Sequence, residues 1–400
     1  MTNFSSTTND VSLNLDRKSV NLEKKGPGSI RISVRVLDVL IAEATTQQIV
    51  TYFALARYTD PSGAHSSAGR TAVKDCLGIG DRQADLAIAG LLSLADLSGR
   101  RLVYTAAEWI KKSNEKKQQA SSFLAVTRYY LDQLLNKDGD EEFVWFSNEL
   151  VDGYGQFVKP LNRLKRLGET AVRLLLCLYK ENQMEQFGGV PPFYFSRRYD
   201  VMAIDEKIDR YRLWHCTPAD DFTISPLLGT SALRVKRFDP IENEIAQKLE
   251  VISALEGLEA AGFVYEMVTI FDGPLGTNSN VVYELDMRGR HGYKPKGEEG
   301  LGGVTAKIAG YVGHSVANRR AEFSGKYAAI VEINVRPEVA GIFRLRFRVS
   351  NPKNYTVSAA FDRIHRDQAE WSATLDYLLG YALRKRNERQ DCLLEDGDGN

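Results

Sequence analysis

The chain has 400 residues, a length that predicts two or three domains rather than one. Its 52 basic and 52 acidic residues cancel, so any surface that binds nucleic acid must arise from local clustering of charge. This balance argues against a histone-like protein that coats DNA. The cysteines are widely separated, which excludes a zinc ribbon, predicts no disulfide framework and favours the reduced thiols of a cytoplasmic protein. They are Cys76, Cys177, Cys216 and Cys392.

Residues 1–30 are rich in Ser, Thr, Asn and Lys, and they lack the apolar segment of a secretory signal. We interpret them as a disordered N-terminal arm. The longest apolar run, Ala171 to Tyr179, is too short to cross a bilayer. The sequence therefore predicts a cytoplasmic protein that makes no contact with a membrane.

The first ordered block, residues 31–105, contains a capped helix. Thr45 and Gln48 have the spacing of a capping box, in which each side chain accepts a hydrogen bond from the other residue's backbone. The next residues follow the spacing of one apolar helix face, and a turn sequence, Asp-Pro-Ser-Gly at 60–63, ends the helix. The apolar positions are Ile49, Tyr52, Phe53 and Ala56.

Two more helices follow, joined at Gly78, where a helix must end and the chain must turn sharply. Asp81 can cap the second of them. Residues 97–104, Leu-Ser-Gly-Arg-Arg-Leu-Val-Tyr, then predict a tight hairpin tip and a strand. The second helix has a predicted buried face at helical spacing, formed by Ala84, Ala87, Ile88 and Leu91.

This order of elements, with its Leu77-Gly78-Ile79 turn and Gly-Arg-Arg hairpin, resembles the winged helix-turn-helix family of bacterial regulators and plasmid replication initiators. The resemblance covers residues 31–105. It implies a DNA-binding domain whose second helix enters the major groove and directs its N-terminal residues at base edges. It also implies that Arg100 and Arg101, at the hairpin tip, contact phosphate or the minor groove.

The residue types at the base-contacting positions suit DNA recognition, because Arg can bind guanine, Gln can bind adenine and Asp can accept a hydrogen bond from cytosine. These positions are Arg82, Gln83, Asp85 and Leu86. A domain that docks on another protein is the alternative, since Asp81 and Asp85 would repel nearby phosphates. The block as a whole holds eight basic and seven acidic residues, so its charge does not decide between the two.

Residues 106–142 are interpreted as a polar linker or helical connection, because they are rich in lysine and in surface carboxylates. The second block, residues 143–289, contains a buried helix at Ala171–Tyr179 and an irregular, aromatic-rich stretch over residues 188–231.

A second helix with a clear start lies later in this block. Asp239-Pro240-Ile241-Glu242 has Asp as cap and Pro in the first turn, and the apolar pattern continues to Gly262. Strands over residues 263–271 and 281–287 follow, and the whole resembles a second winged helix with a large insertion. This helix carries five glutamates and one lysine between residues 240 and 260, which favours a structural or partner-binding role over a place in a DNA groove.

The last block, residues 290–400, is expected to contain a β-hairpin, a long helix and a disordered tail. The hairpin strands are residues 326–336 and 342–349, joined through 337–341. On the second strand Arg344, Arg346 and Arg348 alternate with apolar residues, so they share one face at a spacing of about 7 Å. They either contact successive phosphates or pair across the hairpin, where Glu332 and Asn334 would oppose Arg346 and Arg344.

Catalytic motifs are weak in this sequence. The five histidines form no HxH, HExxH or HxxxH pair, so a metal-dependent nuclease lacks its usual ligands. Tyr129-Tyr130 is interpreted as a pair of packing residues rather than a nicking nucleophile. We expect no enzyme activity, no metal and no cofactor.

The sequence thus predicts a mainly α protein with small β wings, of the α+β class, in which tandem winged-helix domains precede the C-terminal hairpin and long helix. The expected function is sequence-specific binding of double-stranded DNA by a transcriptional regulator. A plasmid-type replication initiator is one alternative, and a protein-interaction module without DNA contact is the other. The expected partners are duplex DNA, replication or transcription proteins, and a second copy of the chain in a homodimer.

Overall fold

The computed structural model describes residues 28–112, 127–134, 142–153, 158–183, 187, 189–208, 211–228, 240–271, 274–276, 281–284, 327–332, 334 and 336–347. The chain divides into two compact units, Met1–Leu176 with Phe347–Ser350, and Cys177–Arg346 with Asn351–Asn400. The fold mixes helices with antiparallel sheets, so the α+β class is confirmed. The predicted N-terminal arm up to residue 27, the long C-terminal helix and the tail lie outside the described residues.

The first unit places short strands between its helices. In chain order the elements are β1 (Ser29–Ser33), α1 (Val34–Glu43), α2 (Thr46–Ala56), β2 (His65–Ser66), α3 (Arg70–Leu77), α4 (Asp81–Leu92), β3 (Val103–Thr105), α5 (Ala106–Lys112), β4 (Tyr129–Leu131), β5 (Phe143–Ser147), α6 (Glu149–Asp152) and α7 (Pro160–Arg166). Helix α8 (Glu169–Lys180) contains the boundary between the two units.

The capping predictions for this unit are confirmed for α2 and corrected for α4. Thr45 N donates to Gln48 Oε1 at 2.9 Å, and Gln48 N donates to Thr45 Oγ1 at 3.3 Å. Helix α4 is capped by Gly80, and Asp81 is its first helical residue rather than its cap. An Asp in the first turn still stabilises the helix, because its charge faces the positive end of the helix dipole.

The first unit contains a three-stranded sheet. Its order is β2-β4-β3, so the strand that comes third in the chain lies between the first and the second. His65 pairs with Tyr130, and Tyr130 pairs with Tyr104, which forms one row of aromatic side chains across the sheet. Strand β4 lies within the stretch that the sequence indicated as a polar linker. A separate sheet pairs β1 with β5.

The second unit is built on a six-stranded antiparallel sheet. Its elements are β6 (Phe195–Ile208), β7 (Tyr211–Ile224), α9 (Pro240–Ala260), β8 (Val264–Phe271), β9 (Val281–Glu284), β10 (Tyr327–Glu332) and β11 (Glu338–Leu345), and the strand order is β10-β7-β6-β11-β8-β9. The predicted helix start at Pro240 is confirmed, and the two strands expected after it are present over the residues described. A sheet of this size exceeds the small β wings that the sequence predicted.

Two further predictions for this unit were wrong. The stretch interpreted as irregular forms the long hairpin β6-β7, because register shifts between Arg197 and Tyr199 and between Ala203 and Lys207 interrupt the alternation that indicates a strand. The expected hairpin of β10 with β11 does not exist. Strand β10 pairs with β7, while β11 pairs with β6 on one edge and β8 on the other.

The two units share a topological feature. Within the larger sheet, β6, β11 and β8 are neighbours in that order, so the strand last in the chain again lies between two earlier ones. A helix precedes the outer strand in each case, α4 before β3 and α9 before β8. The first unit therefore repeats, in small form, an arrangement present in the second.

Candidate nucleic-acid interface

Helix α4 packs against the rest of the first unit through small and aliphatic side chains. Ala84, Ala87, Ile88 and Leu91 are buried, as predicted. Gly78 ends α3 at φ 61°, a left-handed conformation that glycine adopts without strain, and this turn sets the direction of α4. The opposite side of the helix is open to solvent. The four residues predicted to contact bases, Arg82, Gln83, Asp85 and Leu86, are all exposed there.

The carboxylates on this helix have cationic partners on the helix before it. Arg70 Nη1 lies 3.3 Å from Asp85 Oδ2, and Lys74 Nζ lies 3.4 Å from Asp81 Oδ2. Arg70 Nε also lies 3.7 Å from Asp81 Oδ1. All four side chains are about half exposed, so the pairs add little to stability. Their effect is electrostatic, because they neutralise the two charges that would otherwise repel a phosphate backbone.

Arg82 differs from its neighbours on α4. Gln83 accepts a long hydrogen bond from Gly80 N, at 3.4 Å, and Asp85 is in the ion pair with Arg70. Within the part of the chain that the structure describes, the Arg82 side chain makes no hydrogen bond or ion pair. Its guanidinium is therefore available to a ligand without loss of an internal contact.

Arg128 joins this surface from a distant part of the sequence. Its guanidinium lies directly over Gly69, the residue that precedes α3, so closely that a Cβ at Gly69 would collide with Nη1. Arg128 is exposed and leads into β4, whose register with β2 brings it to this position. No local pattern in the sequence predicts Arg128 at this surface, because strands of two and three residues give no alternation from which their pairing can be inferred.

The two arginines of the predicted hairpin tip are partly exposed, but a carboxylate of the protein holds each guanidinium. A tight turn is present, since Gly99 N donates to Asp96 O and Asp96 N donates to Arg100 O, both at 2.9 Å. Arg100 lies past the tip and forms two hydrogen bonds with the buried carboxylate of Asp132, including Nε to Oδ2 at 2.8 Å. This bonding raises the pKa of Arg100 above its usual value.

Arg101 is also held by the protein. Its Nη2 lies 3.1 Å from Glu108 Oε1, and its guanidinium lies over the Tyr104 ring at 4.6 Å from the centroid. Residues 106–128 connect the paired strands β3 and β4, and this connection is longer than the turn at Asp96–Arg100. Helix α5, the described start of this connection, packs on the sheet through Trp109, which stacks on Tyr130 at a centroid distance of 3.5 Å. Tyr130 is thus a packing residue, as predicted.

Arg344, predicted to share an exposed face with two other arginines of β11, is only 1% exposed. Gly189 lies against its side chain, and its cross-strand partner is Tyr265. Arg346 is exposed just beyond the strand, and Arg348 lies outside the described residues. The alternative of pairing across a hairpin was also wrong, since Glu332 is opposite Tyr211 and β10 does not contact β11 as a partner.

The helix α9 presents a different surface from that of α4. Ile245 and Leu249 are 64% and 61% exposed, one turn apart on its outer side. Lys248 Nζ lies 2.6 Å from Asp221 Oδ1, so the single lysine of the helix is in an ion pair. Glu256 is exposed. The described side chains of this helix therefore offer apolar and acidic contacts.

No protein-family model, curated protein or solved structure matches this chain. Among the described residues, no helix is both long and apolar enough to cross a membrane. The same residues contain no group of three or more His, Cys, Asp or Glu side chains placed to hold a metal ion.

Proposed function

We propose that this protein binds double-stranded DNA through its first unit, with α4 in the major groove. The observation that carries the proposal is the exposed, unpaired guanidinium of Arg82 beside two aspartates that Arg70 and Lys74 neutralise. A major groove about 12 Å wide admits one helix, and Arg bound to guanine is the commonest specific contact there. The same neutralisation removes the charge objection that favoured a protein ligand for this helix.

The arrangement of helix pair and sheet supports a winged-helix fold for this unit. In the proposed complex α3 crosses the DNA backbone, so Arg70, Lys74 and Arg128 face phosphates while α4 faces bases. Arg100 and Arg101 serve the fold of this unit rather than the DNA in this proposal, because carboxylates of the protein hold both guanidiniums.

The biological role we propose is sequence-specific regulation of transcription. The repeated strand order favours a second candidate, a plasmid-type replication initiator, because initiators that resemble this layout carry two winged helices on one chain. For the second unit we propose a protein partner, since α9 exposes Ile245 and Leu249 and its lysine is engaged by Asp221. Replication or transcription proteins are the expected class of partner.

The test is selection of bound duplexes from a random pool, followed by fluorescence anisotropy at two salt concentrations. We expect one enriched motif, with affinity that falls as salt rises because phosphates are neutralised by side chains. Arg82→Ala should weaken binding to that motif by about 10- to 100-fold, the range for loss of one bidentate base contact. Arg35→Ala, at an exposed arginine on α1, is the matched control and should leave affinity unchanged.

The outcomes separate the candidates. When the selected motif is then located in the DNA that encodes this chain, a single copy at a promoter supports a regulator, and an array of repeated copies supports an initiator. If the wild-type protein binds no duplex even at low salt, DNA binding by this chain is excluded and a module that binds only proteins takes its place.

A further inference from the structure

The exposed residues of α4 are not equally free to contact a base. Asp85 can accept a hydrogen bond from cytosine only if its carboxylate leaves or shares the 3.3 Å contact with Arg70. Gln83 is partly engaged with the backbone at the start of its own helix. Arg82 and Leu86 have no polar partner to give up, so they are the side chains that a base can reach at no cost to the fold.

Arg82 and Leu86 also share one side of the helix. Leu86 follows Arg82 by four positions, so the two side chains lie one turn apart on the exposed face, about 6 Å along the helix axis. Leu86 is 65% exposed, although both residues that follow it, Ala87 and Ile88, are buried. The face that would enter the groove thus presents one planar cation and one apolar side chain.

The major groove contains a single apolar feature, the C5 methyl group of thymine. A leucine in contact with it removes apolar surface of both partners from water, which favours the complex. Base pairs are stacked about 3.4 Å apart, so side chains about 6 Å apart reach positions within about two base pairs of each other.

We infer that the first unit recognises a guanine through Arg82 and, within about two base pairs, the methyl group of a thymine through Leu86, while Asp85 acts on DNA only by holding Arg70. The inference rests on the proposed binding of duplex DNA. It names the ligand as duplex containing a closely spaced guanine and thymine.

The experiment uses the full chain and the duplex enriched from the random pool, with each thymine replaced in turn by uracil. This replacement keeps base pairing and removes only the methyl group. We expect one position at which uracil lowers the affinity of the wild-type protein by about three- to tenfold, the effect of one buried methyl group. Leu86→Ala should lose affinity to a similar extent and should then be insensitive to uracil there.

Leu97→Ala is the matched control, because Leu97 is a leucine that is 95% exposed on the turn after α4. It should keep the full sensitivity to uracil. In parallel, 7-deazaguanine removes the N7 acceptor of each guanine, and one position should affect the wild-type protein but not Arg82→Ala. Asp85→Ala should select a motif with the same guanine and thymine.

Three results would overturn the inference while leaving duplex binding intact. These are an enriched motif with no uracil-sensitive position, uracil sensitivity that persists in Leu86→Ala, and a cytosine preference that disappears in Asp85→Ala. Absence of any duplex binding by the wild-type protein would instead overturn the proposed function and this inference with it.

Discussion

Arg70 Nη1 lies 3.3 Å from Asp85 Oδ2, so a cation on the helix before the turn neutralises a carboxylate on the exposed face of the helix after it. The turn at Gly78 is what brings the two side chains together, because it folds α4 back beside α3. The relationship supports the proposed approach of this helix to a polyanion, although the helix carries two aspartates near its start.

Arg70→Ala should therefore weaken DNA binding more than the loss of one phosphate contact would. It removes a cation and leaves the Asp85 carboxylate without Arg70, while Asp81 keeps its contact with Lys74, so we expect duplex affinity to fall by a similar factor for all sequences in the pool. The double variant with Asp85→Ala should recover part of that loss. Anisotropy at two salt concentrations measures both effects, and an unchanged thermal midpoint would show that the fold is intact. Equal affinities of the single and double variants would contradict this electrostatic role.

The ion pair of Arg100 with Asp132 should matter for stability. Asp132 is 4% exposed on its side chain, and Arg100→Met leaves this buried carboxylate without its cation. We expect the free energy of unfolding of the first unit to fall by about 2–3 kcal/mol, as for other buried charges that lose a partner. Urea unfolding followed by circular dichroism measures it.

Arg101→Met is the control for that experiment. Its pair with Glu108 is substantially exposed, so we expect a clearly smaller loss of unfolding free energy than for Arg100→Met. Equal destabilisation by the two substitutions would show that the buried position of Asp132 does not set the energy. Neither variant should change the selected DNA motif if both arginines serve the fold.

Gly341 on β11 leaves room for a side chain that reaches across the larger sheet from β8 to β6. Glu266 on β8 accepts hydrogen bonds from Arg197 Nε at 3.0 Å and from the Tyr199 hydroxyl at 2.6 Å, both on β6. Its side chain passes over β11 at Gly341, where a Cβ would collide with the Glu266 carboxylate. Gly341→Ala should therefore destabilise the second unit by about 1–3 kcal/mol.

The matched control is Gly276→Ala, since among the described residues a Cβ there meets Pro274 O alone, at an ordinary distance of 3.7 Å. Combining Gly341→Ala with Glu266→Ala should cost less than the sum of the two single changes, because the collision disappears with the carboxylate. Additive losses in urea unfolding would show that the glycine is needed for another reason.

Much of the first unit could be predicted because its signals are local. The capping box of Thr45, the turn at Gly78 and the helical spacing of Ala84 and Ile88 each depend on residues a few positions apart. The four exposed residues of α4 follow from the same periodicity, since fixing the buried face of a helix also fixes its exposed face.

The parts that could not be predicted depend on contacts between distant residues. Alternation on β11 indicated a two-sided strand, but the burial of Arg344 depends on a distant segment, since Gly189 lies against its side chain. The local sequence indicates Arg100 as a tip residue, but the chain that follows β4 brings Asp132 into contact with it. Arg128 reaches Gly69 through the pairing of β2 with β4, which no local pattern specifies.

Cys76 gives a test of how firmly α3 is held in the first unit. Burial raises the pKa of its thiol to about 11, so at pH 8 the reactive thiolate is scarce, and the side chain itself is fully buried. We expect alkylation of Cys76 at pH 8 to occur only through opening of the α3–α4 pair, far more slowly than in urea. Peptide mass spectrometry after iodoacetamide treatment measures the alkylation rate of Cys76 separately from that of the other cysteines. If the proposed function is right, the selected duplex should slow labelling further, since a ligand that binds only the folded pair of helices reduces its opening. Labelling in native buffer at the rate seen in urea would contradict the packing of α3. Slow labelling that the duplex does not change would place any bound DNA away from α3 and α4.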